Sequence, residues 1–581
     1  MHTEGYRTSR GFTLIETLIG LAVFAIVTTG IFIGYQSVLD IIQSSQYNSA
    51  ALSIIESHVE LIRNMRYEDV GTVGGIPSGK IPPVQDVTLD EVPYELHTYI
   101  RNVDDPFDGT LGGNPADLDP ADYKLVEFQI VCDACARYDL VKLTTYIAPK
   151  NLESASKAGN LIISVFDADG FPVSGATVHV TNPYAVPAVN ETDVTNLNGQ
   201  LTFIGVATGS AAYHITVSKL NYSSDQTYPP GNPVNPVKPD ATVATQQLTQ
   251  VSLAIDKTSS LTVAAHDAYC VAPPSMDFLL TGSTLIGTEP SVPRYSENKT
   301  IGVSGSLLID PLAWDAYTFQ PTDTVYDIAG VAVDPQIVID PDTDVSVTWF
   351  VAPRSQSGLS VSVTNAAGAP VDGATVTVTG TGYDETRIGG QWTFTETTWA
   401  DHAYTEHSAD LVADDTLTVA DVGGVYATAS QWLISETLDF GTSNATPRTL
   451  RWTATEPTNT DVRFQLAANN DNATWDFIGP DGTSNSSFTT SDATIPASLS
   501  GKRYLRYQAF LETTDSSTTP SLSDVTLDFS SGCLVPGQAY FNGLQSATYT
   551  VTVTAAGYQQ AVQDVIMSGT WKRVAIPLPS Q

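Results

Sequence analysis

The sequence predicts an α+β protein: one long N-terminal helix packed on a small antiparallel sheet, followed by several all-β sandwich domains of the Ig-like type. Three observations predict it. Proline is absent from Phe12 to Tyr67, and the first half of that stretch is apolar all round. Past Lys150, β-branched residues alternate with Gly, Pro, Asn and Asp clusters, as strands joined by turns do. A strand–turn–strand pattern at 161–180 returns at 359–378. With 581 residues the chain is too long for one core. Hydrophobic residues make up 42 %, which excludes wholesale disorder. The formal net charge of -37, with only 26 Lys and Arg, excludes a sequence-independent grip on phosphate backbones, so nucleic acid is not an expected partner.

The chain opens on a short leader, residues 1–11, carrying Arg7 and Arg10. A secretory signal peptide places its small-residue cut behind the apolar run, whereas Gly11 stands in front of it. Cleavage there leaves the hydrophobic segment on the mature chain. Glu16 sits just inside that segment, and a carboxylate at a membrane helix centre costs about 2.5 to 3.5 kcal/mol. Burial is tolerated when such a charge is paired, and the α-amine freed on Phe12 of a neighbouring chain is the obvious counter-ion.

The run Arg10-Gly11-Phe12-Thr13-Leu14-Ile15-Glu16 resembles the type IV prepilin signal, which type II secretion pseudopilins share. The resemblance implies cleavage after Gly11 by a prepilin peptidase, N-methylation of Phe12, and pairing of Glu16 with that amine in the next subunit. It implies as partners other pilin-like subunits and an inner-membrane assembly platform. Residues 12–35 would span the membrane before assembly and line a filament core afterwards, at the cell surface or outside it.

The helix is expected over 12–70, with about 55 continuous residues reaching about 80 Å. After Asp40 a stripe of Ala51, Ile55, Val59, Ile62 and Met65 marks a face that packs on a globular domain. His58 beside it reads as an ordinary helix histidine. Gly71 to Pro83 is a linker, and residues 71–150 form an antiparallel β domain with strands at Tyr94–Ile100, Val126–Ile130 and Val141–Ile147. A long helix leading into such a sheet is the pilin-like arrangement. The last two strands are joined through Cys132-Asp133-Ala134-Cys135. A zinc site needs a second pair, and Cys270 and Cys533 are remote from it and from each other. A local disulfide and free thiols both remain open. Asp104, Asp105, Asp108, Asp117, Asp119 and Asp122 form the densest acidic loop. Calcium takes six to eight oxygen ligands, and the loop has the donors without the spacing of an EF-hand. It is similar to some pseudopilins in this respect alone. Solvated surface is the simpler reading, so no cofactor is expected, with calcium as the one candidate.

Residues 159–228 form a first β-sandwich containing Asp167-Ala168-Asp169-Gly170-Phe171-Pro172-Val173 and Gly175-Ala176-Thr177-Val178. Asn365-Ala366-Ala367-Gly368-Ala369-Pro370-Val371 and Gly373-Ala374-Thr375-Val376 repeat the pattern. The first copy closes with Gly199-Gln200-Leu201-Thr202-Phe203. In the second, the closing segment is either the distant Gly537-Gln538-Ala539-Tyr540-Phe541, making a module of 358–408 and 533–581 split by an inserted sandwich at 409–531, or the local Gly390-Gln391-Trp392-Thr393-Phe394. Both copies resemble carboxypeptidase-regulatory-like or collagen-adhesin B-type modules. Their first strands lack lysine, so the isopeptide cross-link of some such modules is not expected. Tyr228 to Pro239 reads as a semi-rigid spacer, and 242–352 as a further β-rich domain. Trp452 and Trp475 mark the insert, which is similar to galactose-binding-like jelly rolls.

No His-Glu-x-x-His, Gly-x-Ser-x-Gly, phosphate-binding loop or dinucleotide fingerprint occurs. His402, Glu406 and His407 read as an exposed loop. The expected function is therefore not enzymatic: a minor pilin-like subunit that displays β-sandwich modules for adhesion to a surface glycan or protein. The alternatives are a type II secretion pseudopilin, or an anchored glycan-binding protein or enzyme that uses the N-terminal segment for export.

Overall fold

The computed structural model describes residues 13–107, 109–117, 119–135, 138, 140–149, 157–331, 336–380, 382–400 and 404–581. The chain divides into two compact units, one holding the chain up to Asp256 with Ile286–Val292, the other the remainder.

In the first unit, helix α1 (Leu14–Arg63) runs unbroken for 50 residues. It stops short of Tyr67 because Asn64 turns its side-chain amide back to the Glu60 carbonyl at 2.7 Å, closing the last turn locally. Residues 14–39 are exposed throughout. The threonine hydroxyls in this apolar half are satisfied within the helix: Thr17 donates to the Leu14 carbonyl at 2.8 Å, Thr28 to Phe24, and Thr29 to Ala25 at 2.7 Å. A hydroxyl facing lipid needs such an internal acceptor. The second half buries Ala51, Ile54, Ile55, Val59 and Ile62 against Leu96, Ile100, Val126, Phe128 and Ile130. Each fully buried Ile or Val contributes roughly 1.5 to 3 kcal/mol.

The sheet under the helix is a four-stranded antiparallel meander, β1 (Val84–Leu89), β2 (Val92–Val103), β3 (Tyr123–Val131) and β4 (Val141–Ile147). Strand β1, which lies between the expected linker and the first expected strand, turns into β2 through Asp90 and Glu91, both with positive φ, as a two-residue hairpin requires.

The first sandwich extends to Ala254, beyond the expected end at 228. Leu248–Ala254 pairs in parallel with Gly159–Phe166, the module's first strand, which on its other side pairs antiparallel with Gln200–Val206. The opposing sheet centres on Thr177–Asn182 and Gly209–Ser218. The proline-rich stretch is not a spacer between modules but a loop within this one. Its ends meet where the Tyr228 amide donates to the Lys238 carbonyl and the Asp240 amide to Tyr228, both at 2.8 Å. The Asp240 carboxylate then takes the Thr227 hydroxyl at 2.7 Å and His214 Nδ1 at 2.9 Å.

In the second unit, residues 259–285 and 293–353 form a sandwich whose first strand has the same kinds of neighbour, with Tyr326–Val331 as an additional strand beside the last. Ser259–His266 is flanked by Asp344–Pro353 in parallel and Ser306–Leu312 antiparallel. The split module repeats it a third time: Ser357–Asn365 lies between Trp571–Leu578 in parallel and Gln538–Leu544 antiparallel. The distant Gly537–Phe541 segment thus closes the second sequence repeat. The local candidate joins the insert instead, with Trp392–Glu396 paired to Ser521–Ser530. The inserted sandwich accordingly begins at Trp392 and not at 409, and Trp399 lies at its fully buried core.

One turn unites the three modules. In each, a side-chain oxygen accepts two backbone amides: Asp167 from Asp169 and Phe171, Asp267 from Tyr269 and Val271, Asn365 from Ala367 and Ala369. The fourth turn residue has φ of +84, +59 and +80° at Gly170, Cys270 and Gly368. Cysteine thus occupies the position that glycine takes without strain in the other two.

Candidate functional site

The expected processing residues Gly11 and Phe12 lie outside the described residues. The described part of the assembly site starts at Thr13, the residue before the helix, where the Glu16 carboxylate accepts the Thr13 amide at 3.4 Å and its hydroxyl at 3.2 Å. Thr13-x-x-Glu16 is a capping box, a pattern visible in the sequence that the reading of Glu16 as a bare acid overlooked. Within one chain the acid is therefore held by its own helix start, and a neighbour's cation would complete its pairing.

The helix carrying Glu16 is long and apolar enough to cross a membrane by length and composition. Its root is pinned by Lys124 on β3. The ammonium donates to the Tyr67 carbonyl at 2.8 Å and to Val70 at 2.5 Å, and it sits 4.4 Å over the Tyr67 ring. Burial pushes this amine down to about 8, against the opposing pull of Asp69.

Cys132 and Cys135 are joined by a disulfide across the β3–β4 turn, with Cα atoms 5.4 Å apart. Of the acidic loop, Asp104, Asp117 and Asp122 bring carboxylate oxygens within 4.8 Å of one another, and Asp105 and Asp119 fall outside that group. Asp108 lies outside the described residues. Asp104 accepts the Leu111 amide at 2.7 Å and Asp117 the Asp119 amide at 2.8 Å, while Asp122 takes the Asp105 amide. Binding through one oxygen each, these three acids supply three ligand atoms, half or less of calcium's six to eight.

The first module docks on the helix-bearing domain. Asn102 on β2 donates to the Ile204 carbonyl at 2.6 Å, and the Asn190 amide to Gly74 at 2.6 Å. Glu191 is half-buried at this joint. Burial first, then the neighbouring Asp193, pushes its carboxyl up to about 7, against a hydrogen bond from the Ile76 backbone.

In the second unit the modules are fastened through polar groups the sequence did not single out. Asp327 is fully buried and holds Arg354 Nε at 2.8 Å and the Tyr540 hydroxyl at 2.8 Å. The Gln538 side chain donates to the Val331 carbonyl at 2.6 Å and accepts its amide at 2.9 Å, adding a rung between modules. Cys270 and Cys533, whose pairing the sequence leaves open, form a disulfide.

The insert presents a cleft of about 320 Å³ between its sheets, lined by Phe394, Leu438, Leu450, Leu505, Tyr507 and Leu527. Trp452 is buried, and the half-buried ring of Trp475 is covered by the Arg506 guanidinium at 4.3 Å. Glu406 and His407 lie on a strand, Tyr404–His407, with His407 Nδ1 2.7 Å from the Ser408 carbonyl. His402 is outside the described residues.

Residues 6–32 match the model of the prokaryotic N-terminal methylation motif. The N-terminus is of the prepilin type. The motif spans Gly11, Phe12, the capping box and the exposed start of α1 as far as residue 32, which supports a membrane-anchored precursor with a pilin-like helix ahead of β-rich domains. No curated protein matches the chain. Among solved structures, the Bacillus anthracis TIE protein aligns over 79 % of this chain at 10 % identity and a TM-score of 0.16, and the chain covers only 59 % of that protein. A streptococcal ancillary pilin aligns over 39 % of this chain and 75 % of its own, at 11 % identity and a TM-score of 0.18. The shaft pilin SpaA from Lactobacillus rhamnosus GG aligns over 34 % and 98 %, at 12 % identity and a TM-score of 0.14. Scores this low bear on neither fold nor function.

Proposed function

We propose that the chain is a minor subunit of a type IV pilus-like filament, cut after Gly11 by a prepilin peptidase, methylated at Phe12 and assembled through α1. The observation that carries the reading is the prepilin-type motif running directly into a helix whose residues 14–39 are exposed and apolar. Such a surface needs lipid or other helices around it. The sandwich modules project from the filament and meet a surface glycan or protein, and the role is mechanical and interfacial, not catalytic. The bulk of the β modules favours a minor subunit, because so much mass on every subunit would crowd a uniform shaft. Immunogold labelling of sheared surface filaments tests this: sparse label on filaments supports it, and label confined to the cell membrane overturns it.

A second reading, a type II secretion pseudopilin, is favoured by the convergence of Asp104, Asp117 and Asp122 in one loop, the place where calcium would bind. Gene deletion separates the two readings. Lost adhesion with normal secretion supports the first, and exoproteins trapped in the cell support the second.

A further inference from the structure

Cys270 ends the first turn of the 259–353 sandwich, and Cys533 follows the last strand of the insert, Ser521–Ser530. Their disulfide joins positions 263 residues apart, with Cα atoms 5.5 Å apart. The surrounding contact is built from both sides. The Ser531 hydroxyl donates to the Ala268 carbonyl at 3.2 Å, and a Cβ at Gly441 would come 1.7 Å from the Tyr269 carbonyl oxygen. Tyr269 packs on Phe529, with ring centroids 5.5 Å apart.

We infer that this disulfide is a mechanical shortcut, which carries tension from the N-terminal anchor straight into the inserted domain and leaves the strand ladders of two β modules unloaded. The inference takes its purpose from the display reading above, but the route of the force follows from connectivity alone. With the bond intact, tension runs along Ser259–His266, through Cys270 and Cys533, and into Ser521–Ser530. Both ends of Ser259–His266 are then pulled in opposite directions, so its covalent backbone goes taut and its hydrogen bonds to neighbouring strands are not loaded.

Without the bond, the same tension must pass through residues 271–391. The 259–353 sandwich is then pulled between its first strand and its parallel neighbour Asp344–Pro353, which shears their ladder. The split module is pulled between Ser357 and Ile388. Its strand Tyr383–Ile388 lies at a sheet edge, held by the single ladder to Thr375–Gly380. An edge strand with one ladder in series is the weakest element on that route. The disulfide takes it out of series.

Force spectroscopy on the full chain in detergent micelles tests the inference, with one handle at the N-terminus and the other at the exposed Asp481-Gly482 turn of the insert. At about 3.6 Å per residue, the reduced chain releases on the order of 500 Å more contour length than the oxidised chain, because the bond bypasses most of the residues between Cys270 and the handle. The double variant Cys270→Ser/Cys533→Ser reproduces the longer release without reductant, and reduction of the unsubstituted chain gives the same readout should that variant misfold. Equal release from the oxidised and reduced chains overturns the inference. A chain that shows the difference yet never enters a filament leaves the load path standing and removes only the display reading.

Discussion

Glu16 shows how one residue can answer two needs. Its carboxylate already serves Thr13 within the chain, so an intersubunit amine would add to a local cap. The two contributions separate by substitution. Thr13→Val removes the hydroxyl of the cap, worth about 1 kcal/mol, and is expected to leave filament incorporation within about twofold. Glu16→Ala is expected to reduce incorporation at least about tenfold, as immunoblots of sheared filaments would read, because it strips the counter-charge of a buried amine. Asp327 makes a parallel case inside the second unit, where it is fully buried between Arg354 and Tyr540. Burial pushes its carboxyl up despite both partners. Asp327→Ala, which leaves Arg354 without its partner, is expected to destabilise this unit by about 3 to 5 kcal/mol in denaturant unfolding. Tyr540→Phe should cost about 1 to 3 kcal/mol in the same measurement.

Elements were legible where their periodicity was clean. The helix stripe from Ala51 to Ile62 and the alternation of Val126, Phe128 and Ile130 announced the faces that are buried. Val84–Leu89 did not announce itself, since an edge strand with half-exposed residues on both faces carries a weak pattern. The parallel strand Leu248–Ala254 was missed because its partner lies about 90 residues upstream, and no local signal records so distant a pairing. The 259–353 sandwich hid its kinship with the other two because Cys270 replaces the expected glycine and no Pro-Val step follows. The joint between the first sandwich and the helix-bearing domain has a pH signature. Glu191 titrates at about 7 there, raised from 4.5 by burial and by Asp193. A raised carboxyl contributes stability that is complete below about pH 4.5 and is lost as pH rises through about 7. The unfolding free energy of this unit should therefore be larger at pH 5 than at pH 8, by an amount on the order of 2 kcal/mol, and its melting temperature correspondingly higher. Glu191→Gln should flatten that difference, as calorimetry across this range would read.

At the scale of the molecule, all three modules set their first strand between a parallel last strand and an antiparallel partner, and the insert interrupts the last of them between neighbouring turn positions. The Gly390 amide donates to the Gln538 carbonyl at 2.8 Å, so the two ends of the insert leave the module side by side. Domains inserted at such turns are tolerated because the host ladder stays whole. Replacing residues 391–537 by a short turn, with Cys270→Ser to remove the orphaned thiol, should leave a chain whose split module still folds. Protection of Ser357–Asn365 amides in hydrogen exchange checks this, and loss of that protection would mean that the insert is needed to close the module. The acidic ectodomain, the prepilin-type start and the module repeat were all readable in the sequence. The clamp through Cys533 was not, since pairing across 263 residues exists only once the insert is folded. The proposed role of α1 depends on cleavage in front of the apolar run. Mass spectrometry of the mature protein tests that directly: the N-terminal peptide is predicted to begin at N-methylated Phe12, and a mature protein whose N-terminal peptide still holds Arg10-Gly11-Phe12 uncut would contradict it.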